Sequence, residues 1–256
     1  MRILGGGRAT LVGPGFLGGR DTAAVEDMDR PDCDPDRLQR TYQQFGLVNR
    51  VVAGWRRLYR SRVRPQLAGS EEATLLDVGC GGGDLALMLA GWAARDGIPL
   101  HVTGIDPDAR AYRFAAGREP LPGVEFRQAS SGDLLAEGKQ YDVVISNHVL
   151  HHLTAAELQS FLDDSAGLTR RLALHNDLRR SAAAYALFSA GALPLTGSYI
   201  RRDGLTSIRR SYTVPELAAV VPAGWTAEPH SPFHCLLSYR RHDTCLQGGT
   251  YRQDQG

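Results

Sequence analysis

The residues that could do chemistry fall into two groups. The first is a glycine turn with acids around it. Gly79, Gly81, Gly82 and Gly83 crowd together, Asp77 stands two residues ahead, and Asp84 follows at once. A backbone without Cβ atoms can turn sharply and lie against a ligand. The free amides at the start of a following helix suit polar or anionic groups. Asp106 lies further on, and a carboxylate can accept two hydrogen bonds at once. The second group is histidine: His148, His151 and His152 sit together, and His175 comes later with Asn176 and Asp177 behind it. A histidine can take a proton from a hydroxyl near neutral pH.

These residues need elements to hold them. Leu75, Leu76 and Val78 read as a buried parallel strand before the turn. Leu85, Leu87, Met88 and Leu89 begin a helix after it, so strand, turn and helix form the first half of a βαβ unit. Further strands are expected at His101 to Ile105, Val124 to Gln128, Tyr141 to Ser146 and Arg171 to His175, with helices at 108–117 and 155–166 between them. Their alternation implies a parallel sheet covered on both faces. His148 and His175 would then follow or end neighbouring strands, whose ends converge on the ligand crevice of an open α/β sheet. Both are therefore candidate bases. Before the sheet, Leu38, Tyr42, Phe45, Trp55, Tyr59 and Val63 recur at helical spacing, and Asp34 or Asp36 can cap the helix start. After it come an Ala-rich helix, Ser181 to Ala192, a loop around 194–204, a helix from Pro215, and two strands, Trp225 to His230 and Cys235 to Tyr239.

Composition narrows the classes. The chain has 256 residues, 43% hydrophobic and 22% charged, with a formal net charge of +1. That is ordinary for a globular chain and calls for neither nucleic acid nor an anionic membrane. No apolar run reaches membrane-spanning length. The four cysteines form no C-x-x-C pair, so neither a zinc site nor a disulfide framework is implied. Cytoplasmic residence is expected.

A dinucleotide fingerprint would carry glycine where Asp84 stands. The segments Asp77-Val-Gly-Cys-Gly-Gly-Gly-Asp84, Gly104-Ile-Asp106-Pro107 and Tyr141-Asp-Val-Val-Ile-Ser-Asn-His-Val-Leu-His-His-Leu153 instead resemble, in order, the motifs of class I S-adenosylmethionine (SAM) methyltransferases. The resemblance covers roughly residues 70 to 180. It implies a Rossmann-like α/β fold with a mostly parallel seven-stranded sheet, the last strand antiparallel, and helices on both faces. It implies SAM as cofactor and S-adenosylhomocysteine as product. Gly79, Cys80 and Gly81 would pass the methionine part of SAM, Asp77 would meet its amino group, Asp106 the ribose, and Pro107 the adenine. Ser130 and Asp133 compete for the adenine amine, and Asn147 would stand where the cofactor and substrate sites meet. His151 belongs to a V-L-H-H-L pattern of that family.

The expected organisation is a flexible leader and linker (1–34), a catalytic domain (35–242) and a disordered tail (243–256). Residues 35–68 would form a helical lid and 177–212 a substrate-covering insertion. Tyr42, Phe45 and His151 are candidate substrate contacts. So are Arg179 and Arg201, from the arginine pairs of the insertion, which would suit a carboxylate, a phosphate or a carrier-bound substrate. No metal is expected, because methyl transfer of this kind needs none. The stretches His175-Asn-Asp-Leu-Arg-Arg-Ser181 and Asp203-Gly-Leu-Thr-Ser-Ile-Arg-Arg-Ser-Tyr212 also resemble a bacterial subgroup linked to phenolic, quinone or polyketide-type natural products. The reading is methyl transfer to a small aromatic hydroxylated metabolite, O-methylation before C-methylation. The rivals are an RNA or protein methyltransferase and a non-catalytic SAM-binding protein. Monomer and homodimer stay open.

Overall fold

The computed structural model describes residues 16–241. The expected disorder of the first 15 residues and of the tail lies outside them. Among the described residues, no helix is long and apolar enough to cross a membrane.

The N-terminal helices come first: α1 (Pro35–Val52), α2 (Trp55–Leu58) and α3 (Arg64–Leu67), the last two joined by a π-helical turn at Tyr59–Val63. Asp34 caps α1, its side chain accepting from the Arg37 amide at 2.9 Å. Then strands and helices alternate: β1 (Ala73–Val78), α4 (Asp84–Arg95), β2 (Leu100–Ile105), α5 (Ala109–Ala116), β3 (Val124–Arg127), α6 (Ser131–Ala136), β4 (Tyr141–Asn147), α7 (Ala155–Leu168) and β5 (Thr169–Leu178). The insertion supplies α8 (Ala182–Gly191) and α9 (Ile200–Arg210), and α10 (Val214–Val220), β6 (Trp225–His230) and β7 (His234–Arg240) close the chain.

One seven-stranded sheet runs in the order β3-β2-β1-β4-β5-β7-β6. All pairs from β3 to β5 are parallel, and β7 is antiparallel to both its neighbours. This is the seven-stranded, mostly parallel architecture expected from the motifs. Alternation along each strand divides the core in two. Leu75, Val143, Leu172 and Leu174 pack with α2 and α4, whereas Leu76, Val144 and Ala173 pack with α7 on the other face.

Three expectations need correction. The strand expected to end at His175 continues to Leu178, because Asn176 and Asp177 still pair with Leu236 and Cys235 of β7. The loop expected near 194–204 gives way to α9, and Gly204 lies inside that helix. A Cβ at Gly204 would sit 2.3 Å from the Phe188 ring, so glycine lets α8 approach α9. The linker expectation also fails over residues 20–34. Asp203 of α9 accepts the Asp27 and Met28 amides at 2.8 and 3.0 Å, and Glu26 is buried. This strap lies across the carboxyl end of the sheet, tied down by carboxylate-to-amide bonds that charge assistance strengthens.

Candidate active site

Beyond the carboxyl ends of the strands lies a cavity of about 480 Å³. Its floor is the turn after β1. Gly79, Gly81 and Gly83 all adopt positive φ (69°, 52° and 75°). Two of them are also close-packed, since a Cβ at Gly79 would meet Val149 at 2.7 Å and one at Gly83 would meet Phe126 at 2.5 Å. At Gly81 nothing lies within 4 Å of that position, so its backbone faces open space. Asp106 braces the turn from β2, its two oxygens accepting the Gly81 and Asp108 amides, each at 2.9 Å.

Asp77 lines the same floor. It is buried, and its Oδ2 has no hydrogen-bond partner. Burial first, and the nearby Asp106 second, push its carboxyl up to about 7. Asn147, at the end of β4, is fixed by three bonds. Its Oδ1 accepts from Trp55 Nε1 at 2.8 Å and Asn176 Nδ2 at 3.0 Å, and its Nδ2 donates to Asn49 Oδ1 at 3.2 Å.

Apolar and aromatic walls rise from this floor: Tyr42 and Phe45 of α1, Phe188 of α8, and Ile200 and Ile208 of α9. The cavity also has a polar side. His151 Nδ1 meets Asp177 Oδ1 at 2.7 Å, and its Nε2 faces Glu26 Oε1 at 3.3 Å. Burial disfavours charge on this ring, yet the two carboxylates outweigh it and raise the pKa to about 10. His148 is different. Its Nε2 meets His234 Nε2 at 3.2 Å, and burial lowers its pKa to about 4, so the ring is neutral at pH 7. Its backbone adopts φ of 60°, a strained conformation for a residue with a Cβ.

A family model for a methyltransferase domain matches residues 75–171. A ubiquinone biosynthesis O-methyltransferase of Methylobacterium sp. (strain 4-46) is 31% identical over 198 residues, covering 75% of this chain and 74% of that one. A second, from Caulobacter sp. (strain K31), is 33% identical over 171 residues, 64% of this chain and 62% of that one. The chain belongs to the class I SAM-dependent methyltransferases. A solved structure of the plantazolicin methyltransferase BpumL with S-adenosylhomocysteine has the same fold at 13% identity, with a TM-score of 0.56, covering 80% of this chain and 96% of that one.

The residues of this methyltransferase fit SAM. The orphaned Asp77 oxygen is a ready acceptor for an ammonium group, and the open backbone at Gly81 admits a ligand at close range. Asp106 keeps lone pairs beyond the two it gives the turn. Gly79, Cys80, Pro107 and Asn147 line the cavity too, as do Tyr42, Phe45, His148 and His151. Four other expectations are corrected. His175 lies wholly inside the sheet, its Nδ1 on Ser146 Oγ at 2.8 Å and its ring between Phe161 and Trp225. It is three residues short of the strand end, and burial keeps it neutral by lowering its pKa to about 3. Asp177, two residues on along the same face, passes the end of β4 and reaches the cavity wall through His151. Ser130 and Asp133 form the capping box of α6 and lie outside the cavity. Arg179 binds the Pro232 carbonyl, and Arg201 is exposed on the outer side of α9, binding the Ser189 carbonyl at 3.4 Å. Neither lines the cavity, because α9 turns Ile200, Gly204 and Ile208 inward instead.

Sequence reasoning missed Glu26, Asp177 and His234. Glu26 comes from a stretch whose prolines and acids read as linker, and nothing local marks it as buried. Asp177 was visible beside His175, but its reach depends on how far β5 extends.

Proposed function

We propose that this methyltransferase transfers the SAM methyl group to a hydroxyl oxygen of a small aromatic metabolite. The observation that carries the reading is the cavity itself. One set of lining side chains is aromatic and aliphatic, Tyr42, Phe45, Phe188 and Ile208, and a second is histidine, His148, His151 and His152. A planar apolar substrate would lie against the first and direct a hydroxyl at the second. The O-methyltransferase names of the curated relatives support the same reading.

SAM supplies an electrophilic methyl group on a sulfonium, which departs as a thioether when an in-line nucleophile takes the carbon. The chain's own residues do the rest. Asp77 would hold the ammonium group of the cofactor, the glycine turn would let it lie close to the backbone, and Asp106 would hold its ribose, with Asn147 lining the same cavity. Alignment of the two reactants is the main contribution. His148, neutral at pH 7 and poised by His234, accepts the hydroxyl proton. Helix α1 and α9 act as the lid and the covering insertion.

The test is transfer from labelled SAM to a panel of phenols, hydroxyquinones and aromatic polyketides. Wild type labels a phenolic oxygen, and His148→Ala loses about 100-fold or more in kcat, in the range of general base catalysis, while SAM affinity holds. Labelling of carbon, or of RNA or protein alone, overturns the reading.

A further inference from the structure

Glu26, His151 and His152 converge on one point of the cavity wall, and their ligand atoms lie within 4.8 Å of one another. Glu26 Oε1 is 3.3 Å from His151 Nε2 and 3.7 Å from His152 Nε2. In a tetrahedral site with metal-ligand bonds of about 2.0–2.1 Å, neighbouring donors stand about 3.3 Å apart. The carboxylate therefore stands near such an edge distance from each imidazole, and the two imidazole donors lie within 4.8 Å of each other. His151 Nε2 is buried and makes no hydrogen bond, although the carboxylate is at ion-pair distance.

The other ring nitrogens complete the pattern. His151 Nδ1 meets Asp177 Oδ1 at 2.7 Å, and His152 Nδ1 meets Asp29 Oδ2 at 3.2 Å. Each ring thus has a carboxylate on Nδ1, so that when a cation displaces the Nε2 proton the remaining proton stays on Nδ1 and Nε2 presents its lone pair. That is the arrangement by which proteins orient histidines toward a metal. Glu26 is held in turn by Ser207 Oγ at 2.7 Å. The strap and the chain after β4 therefore supply ligands and supports from separate parts of the sequence.

We infer that Glu26, His151 and His152 form a site for a divalent cation of the zinc or cobalt type, with its open position toward the cavity. Two imidazoles and one carboxylate suit such borderline ions. The fourth position takes an oxygen of the substrate, which extends the O-methylation reading and rests on it. A cation there fixes the hydroxyl against the methyl group and polarises its O–H bond.

Cobalt(II) titration of the full-length chain, purified with chelator and without SAM, tests the site. Wild type takes up one equivalent with the visible bands of tetrahedral cobalt, and zinc displaces it. Asp29→Asn weakens binding about 10- to 100-fold, as loss of an orienting carboxylate does. Glu26→Gln and His152→Gln weaken it further. Both keep polar groups of similar size, and circular dichroism checks their folding. Absence of tetrahedral bands in wild type, or unchanged affinity in Glu26→Gln and His152→Gln together, overturns the site and leaves a salt-bridge cluster only. Catechol is then added as the oxygen-donor probe. A shift of the cobalt bands supports the open position. Cobalt binding with no shift from catechol or any phenol of the panel overturns the substrate-oxygen part, and the site stands without it. A protein that methylates phenols yet binds no cobalt separates failure of the site from failure of the O-methylation reading.

Discussion

Asp77 is buried beside Asp106 with one oxygen unpaired, and its carboxyl is pushed up to about 7. A bound ammonium favours the ionised form, so SAM affinity depends on pH in a fixed direction. Protonation removes the acceptor as pH falls below about 7, and affinity drops by up to about tenfold per pH unit. Above 7 it levels off. Calorimetric titration between pH 5.5 and 8.5 checks this, and Asp77→Asn abolishes the dependence while weakening SAM by about 1.5–3 kcal/mol. His175 gives a contrasting prediction. It packs between Phe161 and Trp225 with Nδ1 on Ser146. His175→Ala leaves a cavity and an unpaired hydroxyl, costing about 1–3 kcal/mol in urea unfolding. Below its lowered melting temperature, kcat and SAM affinity stay close to wild type. A collapse of kcat in the folded variant would restore His175 as a base.

The strap and α9 behave as one unit. Asp203 holds the Asp27 and Met28 amides, Arg202 meets Asp27 at 3.0 Å, and Arg210 binds the His151 and His152 carbonyls at 3.2 and 3.0 Å. Asp203→Ala removes two charge-assisted bonds at once. It is expected to release residues 16–34 to limited proteolysis at a rate several-fold above wild type, with the sheet intact. SAM at saturating concentration should restore much of the protection if the strap closes over the cofactor. The glycine turn is a second such unit. Gly79→Ala combines a positive φ with a 2.7 Å approach to Val149, so SAM binding is lost before the fold is.

At the scale of the molecule, the cavity wall ties acid and alkaline stability together. The folded pKa of His151 is raised above its unfolded value by Asp177 and Glu26, against burial. Its contribution is complete below about pH 6.5 and is lost as pH rises toward about 10. Glu26 and Asp177 are depressed by the same histidine, also against burial. Their contribution is present above the ordinary carboxylate range and is lost as pH falls from there toward about 2. Stability of the chelator-treated, metal-free chain measured by urea unfolding should therefore fall on both sides, and in His151→Gln the alkaline loss between pH 6.5 and 10 should flatten. Ligand linkage acts on the whole chain as well. SAM at 100 times its dissociation constant adds about 2.7 kcal/mol and raises the melting temperature accordingly.

Local chemistry alone determined the strand, turn and helix around Asp77 to Asp84, the acid ending β2, and the alternating order of the sheet. Each rests on neighbours in sequence: apolar runs, glycines and the helix pattern that follows them. The cavity contacts Tyr42, Phe45 and His151 could be named through the resemblance, which implies an N-terminal helix over the cleft and a V-L-H-H-L segment after β4. Tertiary structure decided what depends on partners far along the chain. Pairing with β7 carries β5 on to Leu178, which buries His175 and brings Asp177 to the cavity wall. The inward face of α9 turns Arg201 out. Contacts between residues more than 170 positions apart draw Glu26 from an apparent linker into the wall. Linear spacing cannot express such pairings, since burial at these positions is supplied by the partner and not by the segment itself.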